Sequence, residues 1–101
     1  MITHAVFFWL TNPGSIEDRD KLIAGIRGLA AIDVVRSLAV GVPAETGERD
    51  VVDGTYGVSE IITLDSVEDE AIYQDHPIHQ KFIADHGHLW SKVTVYDINS
   101  L

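Results

Sequence analysis

Between Ile2 and Leu10 almost every residue is apolar, aromatic or β-branched, and the run is too short for an amphipathic helix, so it predicts a strand. Alternation divides that strand into two faces, Thr3, Ala5, Phe7 and Trp9 on one and His4, Val6, Phe8 and Leu10 on the other. Both sets are mainly apolar, so the strand needs cover on both sides. After turn residues at Asn12-Pro13-Gly14, Ser15 followed by Glu17 and Asp18 marks a helix start, with acids at the positive end of its dipole. Leu22, Ile26, Leu29 and Ala30 recur at helical spacing, Ile23 widens the stripe, and Glu17, Asp20, Lys21 and Arg27 supply the wet face. The pattern predicts a one-sided helix that runs to about Ala31 and packs on a sheet.

Val34 to Val42 reads as a second strand, Pro43 to Gly54 as a Gly-, Pro- and charge-containing loop, and Thr55 to Leu64 as a third strand. Ser66, with Glu68 and Asp69 behind it, starts a short helix. A break follows at Asp75-His76-Pro77, because Pro77 begins a helix more easily than it continues one, and the chain restarts there to about Gly87. Trp90 to Ile98 is a last strand, with Val93 and Val95 on one face and Thr94, Tyr96 and Ile98 on the other.

This β-α-β-β-α-β order is that of an α+β, ferredoxin-like fold, in which one four-stranded antiparallel sheet carries its helices on one face. The other face is left bare. With Phe7 and Trp9 on it, it forms a larger apolar patch than a soluble monomer tolerates, so a second copy is expected to cover it and produce a dimeric α/β barrel. The 101 residues are expected to form a single domain, residues 1–101.

Charge narrows the partners. Sixteen Asp and Glu against seven Lys and Arg give a net charge of -9, a surface that repels nucleic acid and anionic membranes. No apolar run approaches the roughly 18 residues of a membrane span, and Met1-Ile2-Thr3-His4 lacks a basic leader, which reads as a cytoplasmic protein. The chain has no Cys, which excludes thiol nucleophiles, Cys-ligated zinc and disulfides. Its serines lie outside any nucleophile-elbow context, and no Gly-rich phosphate loop occurs.

The five histidines, His4, His76, His79, His86 and His88, are the chemical inventory. His79, Phe82, Ile83 and His86 fall at i, i+3, i+4 and i+7 of the helix after Pro77, which turns His79 toward the sheet. His4 shares a strand face with Val6 and Phe8, so both imidazoles are expected to line one cavity between sheet and helices, with Tyr73 adding a phenol. The bland alternative is that His79 is a packed residue making one hydrogen bond and that His76 organises a helix start. Neither His76 with His79 nor His86 with His88 has the i, i+4 spacing that a zinc site on a helix favours, so no metal and no other cofactor is expected.

His4 in its apolar strand, Gly41, Asp53-Gly54-Thr55-Tyr56, Tyr73-Gln74-Asp75-His76-Pro77-Ile78-His79, and Trp90-Ser91-Lys92-Val93 with Tyr96-Asp97 together resemble the stress-responsive dimeric α/β-barrel (Dabb) family. The resemblance spans essentially the whole chain, and His-Pro-x-His just after a Tyr is its most specific part. It implies a small homodimer of ferredoxin-like subunits. A polyketide cyclase of that family uses a Tyr and a His in this stretch for aldol condensation, which implies catalytic roles for Tyr73 and His79 and a pocket role for His4. Where that cyclase has a further pocket histidine, this chain has Val58.

Three functions remain open from the residues. One is a dimeric module that binds a small aromatic or polyketide-like molecule, with His4, Phe8, Leu22, Ile26, Val58 and Phe82 around it. Another is a cofactor-free cyclase, lyase or isomerase with His79 as base and Tyr73 as proton donor or orienting group. The third is an assembly domain without a ligand.

Overall fold

Two serines launch helices by the same device. The Ser15 hydroxyl accepts a hydrogen bond from the Asp18 amide (3.2 Å) at the start of α1, Ile16–Gly28, and the Ser66 hydroxyl accepts one from the Asp69 amide (3.1 Å) at the start of α2, Val67–Asp75. Replacing Ser66 by alanine is expected to lower the unfolding free energy by about 1 kcal/mol, read from a denaturant titration; an unchanged midpoint would show that the cap contributes nothing. The helix α3, Pro77–His86, begins with Pro77 in its first turn, and the ring Nδ1 of His76 accepts from the Ile78 amide (3.1 Å). His76 therefore organises a helix start, the bland role expected of it.

The computed structural model describes residues 1–101. Four strands, β1 (Ile2–Leu10), β2 (Ser37–Gly41), β3 (Val58–Leu64) and β4 (Trp90–Asn99), form one antiparallel sheet in the order β2-β3-β1-β4. This is the ferredoxin-like arrangement, with the first and third strands central. The second helix is split into α2 and α3 at His76-Pro77 as the sequence indicates.

Two strands are shorter than the sequence pattern implies. Val34 and Val35 are β-branched yet lie in a turn, closed by the Val35 amide on the Ile32 carbonyl (3.0 Å), and β2 starts only at Ser37. Their composition registered burial, since both pack on the core without joining the ladder. Thr55 falls outside β3 because its amide and hydroxyl both donate to the Asp53 carboxylate (2.9 and 2.6 Å), a side-chain-organised turn.

The faces of β1 divide as alternation requires. Ile2, His4, Val6, Phe8 and Leu10 are buried beneath the helices, together with Val58, Glu60, Ile62 and Leu64 of β3. Leu22, Ile26, Leu29 and Ile32 close the core from the α1 side. At Gly25, α1 passes so close to His86 that an added Cβ would lie 2.6 Å from the ring Nε2.

The opposite sheet face carries no helix. Phe7 stands there edge-on to Tyr56 (5.1 Å between ring centres) and Tyr96 (6.2 Å), and Tyr96 and Ile98 are more than half exposed. The end of the long loop leans on this face, where the Trp9 indole N–H donates to the Thr55 hydroxyl (2.9 Å) and the Lys92 ammonium lies 4.4 Å from the Trp9 ring centre. No helix is long and apolar enough to cross a membrane.

Candidate functional site

Strand alternation and helix periodicity bring three ionisable side chains to one place. His4 projects from β1 and Glu60 from β3, both on the helix side; Glu60 stands opposite Val6, the next helix-side residue along β1 from His4. His79 points down from α3. The three line a cavity of about 140 Å³ that Gln74 also borders, and its remaining walls are apolar: Val6, Phe8, Phe82, Ile83, Trp90, Val93 and Val95. Because β4 is an edge strand, Val93 and Val95 stay nearly half exposed and form the open side.

The polar end is tightly connected. The Nδ1 of His4 donates to the Asp97 carboxylate at 2.5 Å, across the β1–β4 pair that sets those two residues opposite each other. This directs its Nε2 toward Glu60, whose Oε2 lies 3.8 Å away. The Tyr73 hydroxyl donates to the same Glu60 oxygen at 3.5 Å, a long bond. The Tyr73 ring meets His79 edge-on at 4.8 Å and His4 at 5.5 Å, so one phenol braces both imidazoles.

Burial dominates the electrostatics. It pushes Glu60 up to about 7, against a smaller downward effect of the Tyr73 hydrogen bond. It also drives the Tyr73 phenol far above its ordinary value, reinforced by the Glu60 charge, so Tyr73 stays protonated. His79 is lowered, first by burial and then by the positive charge of His4. A neutral imidazole and a carboxyl that changes state near neutrality therefore face the same space.

The structure unites some of the residues singled out from sequence and separates others. His4, Phe8, His79 and Phe82 line the cavity. Leu22, Ile26 and Val58 do not: each is completely buried in the core, because α1 sits over the β2 and β3 half of the sheet and the cavity opens toward β4. Tyr73 is also completely buried, with its hydroxyl turned to Glu60 rather than into the cavity. His86 stacks on Phe82 (5.2 Å) with its Nδ1 against the Phe82 carbonyl (3.1 Å), a packing role, and His88 is exposed.

Glu60 and Asp97 are the site residues that the sequence reading missed. A signal existed for Glu60, which alternates in phase with Val58, Ile62 and Leu64 and so belongs to the buried face of its strand. Asp97 shares a face with Val93 and Val95, but only the β1–β4 register reveals that it meets His4. Donor atoms of His4, Asp97 and Glu70 lie within 4.8 Å of one another, a set able to approach a metal ion. A cation there would have to displace the His4–Asp97 hydrogen bond.

A family model described as the stress responsive A/B barrel domain (Dabb) matches residues 2–100. Among solved structures, the chain resembles a dimeric ferredoxin-like protein of unknown function from Thermobifida fusca (TM-score 0.75, 21% identity, 96% of this chain and 88% of that one). It resembles a Dabb family protein with a ferredoxin-like fold from Mesorhizobium loti (0.79, 20%, 99% and 96%). A hydroxynitrile lyase from Passiflora edulis is similar to the same degree (0.78, 23%, 99% and 94%). No curated protein gives a significant match. At these identities the structural likenesses establish the fold.

Proposed function

The chain belongs to the stress responsive A/B barrel domain (Dabb) family, and we propose that it acts as a homodimer whose subunits each hold a small, largely apolar molecule between His4, Glu60 and His79. One observation carries this reading: ionisable groups from three separate elements converge on one cavity whose other walls, Gln74 apart, are apolar. Such a constellation orients a ligand by its polar end. The volume of about 140 Å³ favours a single ring over an extended polyketide chain, since an apolar cavity of about 150 Å³ accommodates benzene. The dimer is supported by the aromatic, helix-free sheet face and by neighbours described as dimeric.

A second reading, acid–base catalysis on the same ligand, is favoured by the neutral His79 and by the hydroxynitrile lyase among the structural neighbours. In that case His79 is the base. Tyr73 acts through Glu60, because its hydroxyl does not reach the cavity.

The test is a thermal-shift screen of small aromatic alcohols, aldehydes and acids on the wild type and His79→Ala, with cyanide release from an aromatic hydroxynitrile measured alongside. A ligand at about 100 times its Kd should stabilise the wild type by roughly 2.7 kcal/mol, and His79→Ala should weaken binding about tenfold or more. A ligand that stabilises both proteins equally does not occupy this cavity. Turnover that is present in the wild type and survives His79→Ala would remove His79 as the base.

A further inference from the structure

Glu60 is a carboxyl group, 2% exposed, on a strand face otherwise made of Val58, Ile62 and Leu64. Burying it is unfavourable, and a leucine there would pack without that penalty. Its surroundings specify what it can recognise. His4 faces it from β1, Tyr73 from α2, His79 across the cavity from α3, and Val40 lies opposite it on β2. On β4, Asp97 is the charged neighbour, and it already holds His4.

No Lys or Arg borders the cavity. Four of these cations are paired elsewhere, Arg19 with Asp20, Lys21 with Glu17, Arg36 with Asp65 and Lys81 with Asp85, while Lys92 covers Trp9 on the other sheet face. His4 is already engaged by Asp97, and burial lowers the pKa of His79 and favours its neutral form. A ligand carboxylate would therefore meet the Glu60 carboxylate in a partly dry site without a free cation to offset it. A hydroxyl group, by contrast, donates to Glu60 while its apolar body packs between Phe8, Phe82 and Trp90.

We propose that the cavity selects small uncharged molecules bearing a hydroxyl group on an apolar body and rejects the matching carboxylates, with Glu60 as the selecting residue. The inference rests on the binding reading above and specifies the class of ligand that site takes. Benzyl alcohol and benzoate are suitable probes, because they share a ring and differ in charge.

Their affinities for the intact wild-type protein, Glu60→Gln and Glu60→Asp would be measured by NMR titration at about pH 8, where Glu60 is ionised, with circular dichroism confirming the fold. The wild type should favour benzyl alcohol by about tenfold or more, Glu60→Gln should narrow the ratio below about threefold by gaining benzoate affinity, and Glu60→Asp should retain the preference. Equal binding of both probes by the wild type, or a ratio unchanged in Glu60→Gln, overturns the assignment of Glu60 and leaves the cavity as a binding site. Binding of neither probe to the wild type removes the cavity reading and this inference with it.

Discussion

Phe7→Glu will convert the dimer into monomers or aggregates while leaving the helix-side core intact. Phe7 lies on the helix-free face, between Tyr56 and Tyr96, and makes no contribution to the core beneath the helices. A glutamate there is solvated in a monomer but becomes a buried, unpaired carboxylate once a second sheet covers the face. The penalty of several kcal/mol raises the dissociation constant by about a hundredfold or more. Trp9→Glu acts on the same face with a smaller effect, since Lys92 sits over that position and offers the new carboxylate a partner. Light scattering after size-exclusion chromatography reads both. A Phe7→Glu protein with unchanged dimer mass at micromolar concentration would place the interface elsewhere.

Glu60→Gln is expected to stabilise the protein at alkaline pH and not at acid pH. A glutamate titrates at 4.5 in the unfolded chain, whereas burial lifts Glu60 to about 7 in the native state. Between these values the unfolded chain has released its proton while the native protein keeps it. The native state binds more protons, so stability falls as pH rises and the loss is complete above about 7. The separation corresponds to about 3 kcal/mol. Glutamine does not titrate, and its side-chain carbonyl still accepts from Tyr73. The variant should therefore match the wild type within about 1 kcal/mol near pH 4 and exceed it by about 3 kcal/mol near pH 8. Paired urea titrations at the two pH values measure this directly. A stability difference independent of pH would mean that Glu60 is solvated, and would weaken its role in ligand selection.

These two substitutions probe opposite faces of one strand pair, which is how the fold divides its tasks. The face of Phe7 carries no helix and is the one proposed to join subunits. The face of His4 and Glu60 makes a cavity, because α2 and α3 leave the β4 edge uncovered and Val93 and Val95 open to solvent. The end of the long loop, at Asp53 to Tyr56, rests on the Phe7 and Trp9 side, across the sheet from His79.

Most of the architecture was legible in the sequence. Alternation assigned both faces of β1 correctly, the serine caps marked α1 and α2, and His76-Pro77 divided the second helix. The strand ends were less legible: Val34 and Val35 have strand composition, but a hydrogen-bonded turn claims them. The orientation of His79 toward the sheet also followed from helical spacing, and it shares a cavity with His4, Phe8 and Phe82, whereas Tyr73, Leu22, Ile26 and Val58 lie outside that cavity.

The periodicity of single elements is a local property, set by 3.6 residues per turn and by the two-residue pleat, so a linear pattern suffices to determine which side of each helix and strand is buried. What stands beside what is different. His4 and Asp97 are 93 positions apart, and only strand register makes them hydrogen-bonded neighbours. Likewise, no local pattern distinguishes a Tyr73 that lines a cavity from one buried behind it, or a Glu60 in solvent from one desolvated among Val58, Ile62 and Leu64. Those distinctions depend on how helices cross the sheet and how much water they exclude. The tertiary structure alone decides this, because desolvation is set by everything that surrounds a group in space and not by its neighbours in the chain.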